Sequence, residues 1–421
     1  MADDRYSPNG DGALQREFVE RWRDNAYGCF SSGHKFCREV CPVMQVTRNE
    51  QHTPTAFHAN IVAMEKGLVS VEDVADDYVH CTQCGACELR CPNSLFTGDF
   101  YRHRTRTVDV VKAMRALMVA TGNEREGWKL WNERLAERHN EPVLGDVPVS
   151  QEHVRDWAEG LDIPEGGETI LFVDCEAAFY RTSYTRAFAQ LLQKAGVEFG
   201  LMREQWCCGG PAAEMGYVDL ARRHAEHNVE DWRAVGAKRI IAPDPHDYIA
   251  FTEDYPRYFG DDGYEFAIVL GVELIADLVR DGRIALTEPV ERTVTYHDPC
   301  RLNKRKGVHA APRELLRAVP GLTFNDVDHV TQWSYCSGGG GGLPVEKPEI
   351  TAEISRRRVA RAAALEVDTL VSACPWSERP LSQAGEEAGL DVLDLFELLA
   401  RSAGIEAGGH ARGPESSGVA R

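Results

Sequence analysis

The 421-residue chain predicts an α+β protein: a helical N-terminal part, then two pseudo-repeated α/β units, each on a parallel sheet. Three observations carry that expectation. Residues 1–165 place apolar side chains mainly at helical spacing. From Glu168 onward, short apolar runs alternate with amphipathic stretches, which is the pattern of a parallel sheet with helices on its faces. That alternation then runs through twice in the same order.

Helices are expected over Asp11–Arg23, Pro54–Lys66, Val71–Tyr78, Tyr101–Ala120 and Glu126–Arg138, with cysteine loops between them. Asn140–Pro164, rich in Pro, Gly and acidic residues, reads as a linker with one short helix. The first α/β unit opens on a buried strand, Thr169–Asp174 (TILFVD). A helix at Tyr184–Ala195, a strand at Glu198–Met202, a long helix at Val218–Val235 and a strand at Lys238–Ala242 follow. The second unit matches it with Thr293–His297, Ala311–Val319, Lys347–Leu365 and Asp368–Ser372. Both units close alike, at Ala267–Gly282 and Asp391–Gly404. The expected domains are 1–165, 166–288 and 289–407, with a disordered Gly- and Ser-rich tail at 408–421.

Composition narrows the function. Hydrophobic residues make up 43% and charged ones 27%, as in a soluble globular protein. No apolar run reaches the ~18 residues of a membrane helix; the best, Ile268–Val279, is broken by Glu273 and Asp277. The acidic start is no signal peptide, so a cytoplasmic location is expected. A formal charge of −19 argues against nucleic acid, which calls for basic patches. Thirteen cysteines, an odd number without a secretory signal, argue for metal rather than disulfides.

Cys81, Cys84, Cys87 and Cys91, followed by Pro92, have the C-x2-C-x2-C-x3-C-P spacing of a bacterial ferredoxin. Three thiolates on one loop grip one iron–sulfur cube, and the fourth serves a second cube. An earlier, altered motif runs Cys29, His34, Cys37, Cys41 and Pro42, with His34 where the second cysteine belongs and Cys29 displaced. By cross-over, Cys81, Cys84, Cys87 and Cys41 are expected to bind one [4Fe–4S] cluster. Cys29, Cys37 and Cys91 would bind the other, with His34 as fourth ligand; the alternative is a [3Fe–4S] cluster that needs none.

The other cysteines follow the strands. Cys175, then Cys207 and Cys208, then Asp244-Pro-His-Asp247 mark three loops of the first unit. Cys300, then Cys336 and Ser337, then Cys374-Pro-Trp-Ser377 mark the same loops of the second. Loops at the carboxyl ends of parallel strands are where such sheets build sites. Gly209–Gly210 and Gly338–Gly342 flank the middle loops and would let backbone N–H groups face cluster sulfurs. A phosphate cradle is the weaker reading, because no Lys follows the run.

On these residues, with His297-Asp-Pro-Cys300, Ala311-Pro-Arg313 and Glu253-Asp-Tyr-Pro256, the chain resembles proteins with two cysteine-rich CCG domains behind a ferredoxin-like part. These are heterodisulfide reductase catalytic subunits, the iron–sulfur subunit of anaerobic glycerol-3-phosphate dehydrogenase, and glycolate oxidase subunits. The resemblance implies a five-cysteine site in each CCG domain. Neither unit here has all five: Asp244 and Asp247 stand in for two in the first, Ser337 and Ser377 in the second. An iron–sulfur cluster on Cys300, Cys336 and Cys374 is therefore expected in the second unit. The first unit would hold a cluster or a zinc ion on Cys175, Cys207 and Cys208, with Asp244, His246 or Asp247 as a further ligand, or stand as an empty relic.

Asp244, His246 and Asp247 also fit a hydrolytic metal triad, but the parallel with Cys374–Ser377 favours a diverged cluster loop. Arg356–Arg358 reads as a solvated helix face, and Arg102–Arg106 as an exposed helix start or a dock for an acidic partner. His297 and Asp298 read as loop-shaping residues or a proton relay. No dinucleotide fingerprint is present. The resemblance implies an iron–sulfur electron-transfer subunit between a flavoprotein dehydrogenase and a quinone-reactive membrane partner or other acceptor. A catalytic disulfide reductase and a non-catalytic scaffold or redox sensor are the alternatives.

Overall fold

A computed structural model gives the fold and describes residues 11–31, 33–92, 105–142, 149–260, 263–326 and 334–405. The N-terminal part is helical. Its long helices are Asp11–Ser31, Pro54–Glu65, Val71–Val79, Thr107–Ala120 and Glu126–Arg138. The first two pack along their length, placing Phe18, Trp22 and Ala26 in one core with Phe57, Ile61 and Met64. Burying each large apolar side chain contributes roughly 1.5–3 kcal/mol. Val71–Val79 starts at a capping box in which Ser70 and Asp73 satisfy each other's backbone N–H.

Three expectations change here. The first helix runs past Arg23 to Ser31 and carries Cys29 on its body, not on a loop. Trp22, Ala26 and Cys29 continue its buried stripe at i+4 and i+3 spacing, so the helix has a reason to continue. The fourth helix starts at Thr107; Tyr101–Arg104 lie outside the described residues, as do the acidic start and the expected disordered tail. The stretch expected as a linker packs down where it is described, burying Val154 and Trp157 in the main core.

The first α/β unit has three parallel strands, β1 Thr169–Leu171, β2 Arg239–Ala242 and β3 Ala267–Leu270, in the order β1-β2-β3. The second has four: β4 Arg292–Tyr296, β5 Leu322–Phe324, β6 Thr369–Ser372 and β7 Asp391–Asp394, in the order β5-β4-β6-β7. Ile170 pairs with Ile240 and Ile240 with Ile268; Thr295 pairs with Leu370 and Leu370 with Val392. The expected strand Glu198–Met202 is absent and makes only isolated bridges, Glu165 to Leu201 and Ile170 to Gly200. There the backbones of Gly200 and Gly166 come so close that a Cβ on Gly200 would collide with the Gly166 carbonyl.

Strand ends decide where the chemistry sits. β1 stops short of the expected Asp174 because that residue caps the helix Cys175–Phe179, accepting the N–H groups of Glu176 and Ala177. Asp244 caps Pro245–Ile249 and Asp394 caps Leu395–Ser402 in the same way. Tyr184 and Phe188 of the helix Thr182–Lys194 meet Phe396 edge-on, which joins the cores of the two units. Among the described residues, no helix is long and apolar enough to cross a membrane.

Candidate metal centres

Cys41, Cys81, Cys84 and Cys87 line one cavity, with Pro42, Phe57 and His80 around them. Cys41 sits between the short helices Cys37–Val40 and Pro42–Thr47. The loop after Cys81 turns through Gly85 in the left-handed region into Ala86–Arg90, which carries Cys87. Burial pushes the Cys81 thiol up to about 11, although Arg115 nearby pulls the other way. Burial raises Cys41 and Cys87 further. Cys41, Cys81 and Cys87 stay protonated unless a metal replaces the proton, and Cys84 lines the same cavity, so the four thiols together suit an iron–sulfur cluster. We call this the proximal set.

Cys29, Cys37 and Cys91 form a second group, close enough that Cys37 and Cys91 add to the burial that pushes the Cys29 thiol up to about 12. His34 Nε2 lies 3.8 Å from Cys91 Sγ, and its ring stacks on Phe36 at 5.5 Å. Burial and then Lys35 lower the His34 pKa, which keeps the imidazole neutral and able to ligate. The grouping is the one expected from cross-over spacing. We call it the distal set.

In the second unit, Cys336 is within hydrogen-bonding reach of both Cys300 and Cys84. Its loop therefore meets the proximal set directly. The Cys300 thiol falls to about 7, because Cys336 hydrogen-bonds to it and Arg301 and Lys304 stand beside it. Cys84 is depressed in the same way, by Cys336 first and against burial, with Lys304 adding to the effect. Cys374 is driven up by burial and by Asp244. Ser337 Oγ donates to Ser377 Oγ at 3.2 Å, so the two serines close on each other.

The glycine run does less for sulfur than expected. Gly338 N–H points at Cys336 Sγ (3.3 Å), but Gly341 N–H goes to Glu214. A Cβ on Gly341, which has φ +67°, would lie 2.5 Å from the Cys81 carbonyl oxygen. The glycines let the second unit's loop press against the proximal loop.

The first unit has the opposite electrostatics. Cys175 Sγ lies 4.0 Å from Cys207 Sγ, and Gly209 and Gly210 donate to Cys207 and Cys208 (3.4 Å each). Carboxylate oxygens of Asp174, Asp244 and Asp247 lie within 4.8 Å of one another, all buried. Burial raises all three, Asp244 to about 8, and Cys208 pushes Asp244 and Asp247 further. Both Asp247 oxygens and one oxygen each of Asp174 and Asp244 lack a hydrogen-bond partner. Orphaned buried carboxylates beside thiols are a donor set suited to a cation. His246 groups instead with Asp244 and with Cys374 of the second unit, and its Nε2 lies 3.6 Å from a Glu214 carboxylate oxygen.

Several residues matter that no motif in the sequence marks. Arg115, fully buried, donates to the carbonyls of Tyr78, Val79 and Cys81, of Glu214 in the first unit, and of Gly341 in the second. Burial tends to raise the Glu214 carboxyl, but Arg301 and His246 hold it well below its usual range. Arg358 corrects the expectation that Arg356–Arg358 is solvated: it is 2% exposed and donates to the Tyr296 carbonyl and His297 Nδ1. Asp298 is held by Arg313 through two 2.7 Å contacts, which makes the His297–Cys300 turn a braced loop.

Comparison with known proteins agrees with this architecture. The family profile described as "Cysteine-rich domain" (CCG) matches residues 169–251 and 294–376, and that described as "4Fe-4S dicluster domain" matches 25–95. The chain is 31% identical over 343 residues to a dihydromethanophenazine:CoB–CoM heterodisulfide reductase subunit of Methanosarcina mazei, with 80% of each chain covered. It is 27% identical to the EtfAB:quinone oxidoreductase of Syntrophomonas wolfei over 82% of this chain and 49% of that one. It is 28% identical to the probable iron-sulfur-binding oxidoreductase FadF of Bacillus subtilis over 76% and 46%. It spans about half the length of those two relatives. A hypothetical protein from Helicobacter pylori shares the fold at TM-score 0.55 and 10% identity, over 93% of this chain and 77% of that one.

Proposed function

The chain belongs to the family of heterodisulfide reductase subunits and related iron–sulfur proteins, and on that footing we propose that it is the electron-relay subunit of an oxidoreductase complex. The observation that carries the reading is the contact of Cys336 with both Cys84 and Cys300, where the proximal set meets the second unit. Iron–sulfur clusters supply one-electron transfer at potentials that ligands and burial tune. Cys41, Cys81, Cys84 and Cys87 would hold one [4Fe–4S] cluster, and Cys29, Cys37, Cys91 and His34 a second. Cys300, Cys336 and Cys374 would hold a third, and the Asp174–Asp244–Asp247 pocket beside Cys175, Cys207 and Cys208 a cation. The entry side would receive a flavoprotein dehydrogenase and the exit side a quinone-reactive or other acceptor. The names of relatives, a quinone oxidoreductase and a heterodisulfide reductase, support an acceptor of either kind. Disulfide chemistry is the second reading; the hydrogen bond that Ser337 donates to Ser377, where thiolates would stand, argues against it.

Iron and acid-labile sulfide analysis tests the assignment. Cys300→Ala is expected to lose about a cluster's worth, roughly three to four irons per chain. A wild-type iron count in that variant would remove the second unit from the relay. His34→Ala is expected to give a three-iron EPR signal in the oxidised protein where the wild type is silent. Equal signals in both proteins would strike His34 from the ligand set.

A further inference from the structure

Lys304 stands out among the buried groups that the relay reading leaves without a task. It lies in the wide turn Arg301–Arg305 that follows Cys300, is 7% exposed, and its Nζ has no hydrogen-bond partner. A buried ammonium with no partner is costly, so folding alone would select against it. The neighbouring cations are occupied: Arg301 pairs with Glu214, Arg115 donates to carbonyls, and Arg358 donates to Tyr296 and His297. The charge of Lys304 bears on Cys84, on Cys300 and on His297. The turn that carries it follows Cys300 directly and packs on the proximal loop, where a Cβ on Gly85 would lie 3.9 Å from Arg305 Cγ, so Lys304 stands where the proximal set and the second unit touch.

The pseudo-repeat supplies an internal control. Cys175 and Cys300 hold the same position in their units. The residues one and four places on are Glu176 and Phe179 in the first unit, Arg301 and Lys304 in the second. Buried Asp174, Asp244 and Asp247 add negative charge beside the first unit's thiols. One copy of the fold thus sets carboxylates beside its first cysteine, the other sets cations beside Cys300.

We propose that Lys304 is a positioning residue for electrons: its unpartnered charge, at the junction of Cys84 and Cys300, raises the one-electron reduction potential of the centres that meet there. The proposal rests on the relay reading above. A fixed positive charge in a low-dielectric interior favours the reduced, more negative form of a redox centre beside it. Each transfer across the junction oxidises the donor by one electron and reduces the acceptor by one. The electrons come from the flavoprotein dehydrogenase class of donor already invoked.

The test uses the full chain, purified without oxygen, as wild type, Lys304→Gln, Lys304→Met and Lys304→Arg. Iron and sulfide are counted, and midpoint potentials are read by EPR-monitored redox titration. Iron content is expected to match wild type in all four. In Lys304→Gln and Lys304→Met the reduction equilibrium at the junction should fall about tenfold or more, where tenfold is ~59 mV for one electron. The distal set should keep its midpoint, and Lys304→Arg should restore the junction. Midpoints in Lys304→Gln equal to wild type, at equal iron, would overturn the proposal and leave the relay intact. Loss of the relay itself would show separately, as an unchanged iron count in Cys300→Ala. Melting of the metal-free chain guards against a folding artefact. Lys304→Met should melt no lower than wild type, because it removes an uncompensated buried charge; a lower melting point would assign Lys304 a structural role and overturn the proposal.

Discussion

Replacing Arg115 by methionine is expected to cost about 4 kcal/mol or more of stability and to strip iron from the proximal set. The side chain is completely buried in the helix Thr107–Ala120, and its guanidinium lies 4.5 Å from the ring centroid of Trp128. It donates to carbonyls from all three parts of the molecule: Tyr78, Val79 and Cys81, then Glu214, then Gly341. Methionine fills much of the volume but donates nothing, so these carbonyls lose partners in the interior at roughly 1–3 kcal/mol each. Some will recruit water, which is why the expected cost lies well below the sum. The Cys81 carbonyl is among them, and it also supports the close approach of Gly341. An Arg115→Lys variant would keep the charge but not the planar five-donor fork, so it should recover less than half of the loss. Urea unfolding of the metal-free chain, with iron analysis of the anaerobic protein, measures both effects. An Arg115→Met midpoint indistinguishable from wild type would show that this residue does not tie the three parts together.

Arg115 also marks the limit of what a sequence can tell. The cysteine spacing is legible because ligand motifs are local, and the grouping of Cys41 with Cys81, Cys84 and Cys87 follows from the same spacing rule. The alternation of strands and helices is legible because each unit repeats it. The junction is not, because its pairs join residues far apart: Arg115 with Gly341, Arg301 with Glu214, Cys84 with Cys336. No period in a sequence announces such contacts. Three departures do have a usable signal. Arg358 falls four residues after Ile354 and eight after Ile350, on the buried face of its helix, so its place in a basic run is a poor guide. Cys29 follows Trp22 and Ala26 at helical spacing, which extends the first helix. Asp174 ends an apolar run but caps the helix after it; a strand-to-helix hand-over with Asp at the cap puts a third carboxylate beside Asp244 and Asp247.

That third carboxylate gives the first unit its own testable behaviour. In the metal-free chain, Asp174, Asp244 and Asp247 are all raised in the folded state, Asp244 to about 8 and the others well above their usual range. Their unfolded values lie near 3.9. The sign follows: stability from these groups is fully present below about pH 4 and is lost as pH rises toward and through the folded values. The metal-free chain should therefore unfold more readily at pH 8 than at pH 6, losing about 1.4 kcal/mol per pH unit for each proton the folded state retains. Asp247 is the position to change, since neither of its oxygens has a partner and, unlike Asp174 and Asp244, it caps no helix. Asp247→Asn should flatten the slope by about one proton's worth and raise stability at pH 8. A bound divalent cation would replace those protons, so added zinc should stabilise the wild type more at pH 8 than at pH 6, and the Asn variant less at either. A flat pH profile from 6 to 8 in the metal-free wild type would show that the three carboxylates are hydrated and not built for a cation. A steep profile that zinc leaves unchanged would keep the burial but turn the site into a proton-holding relic, with the cysteines beside it merely packed.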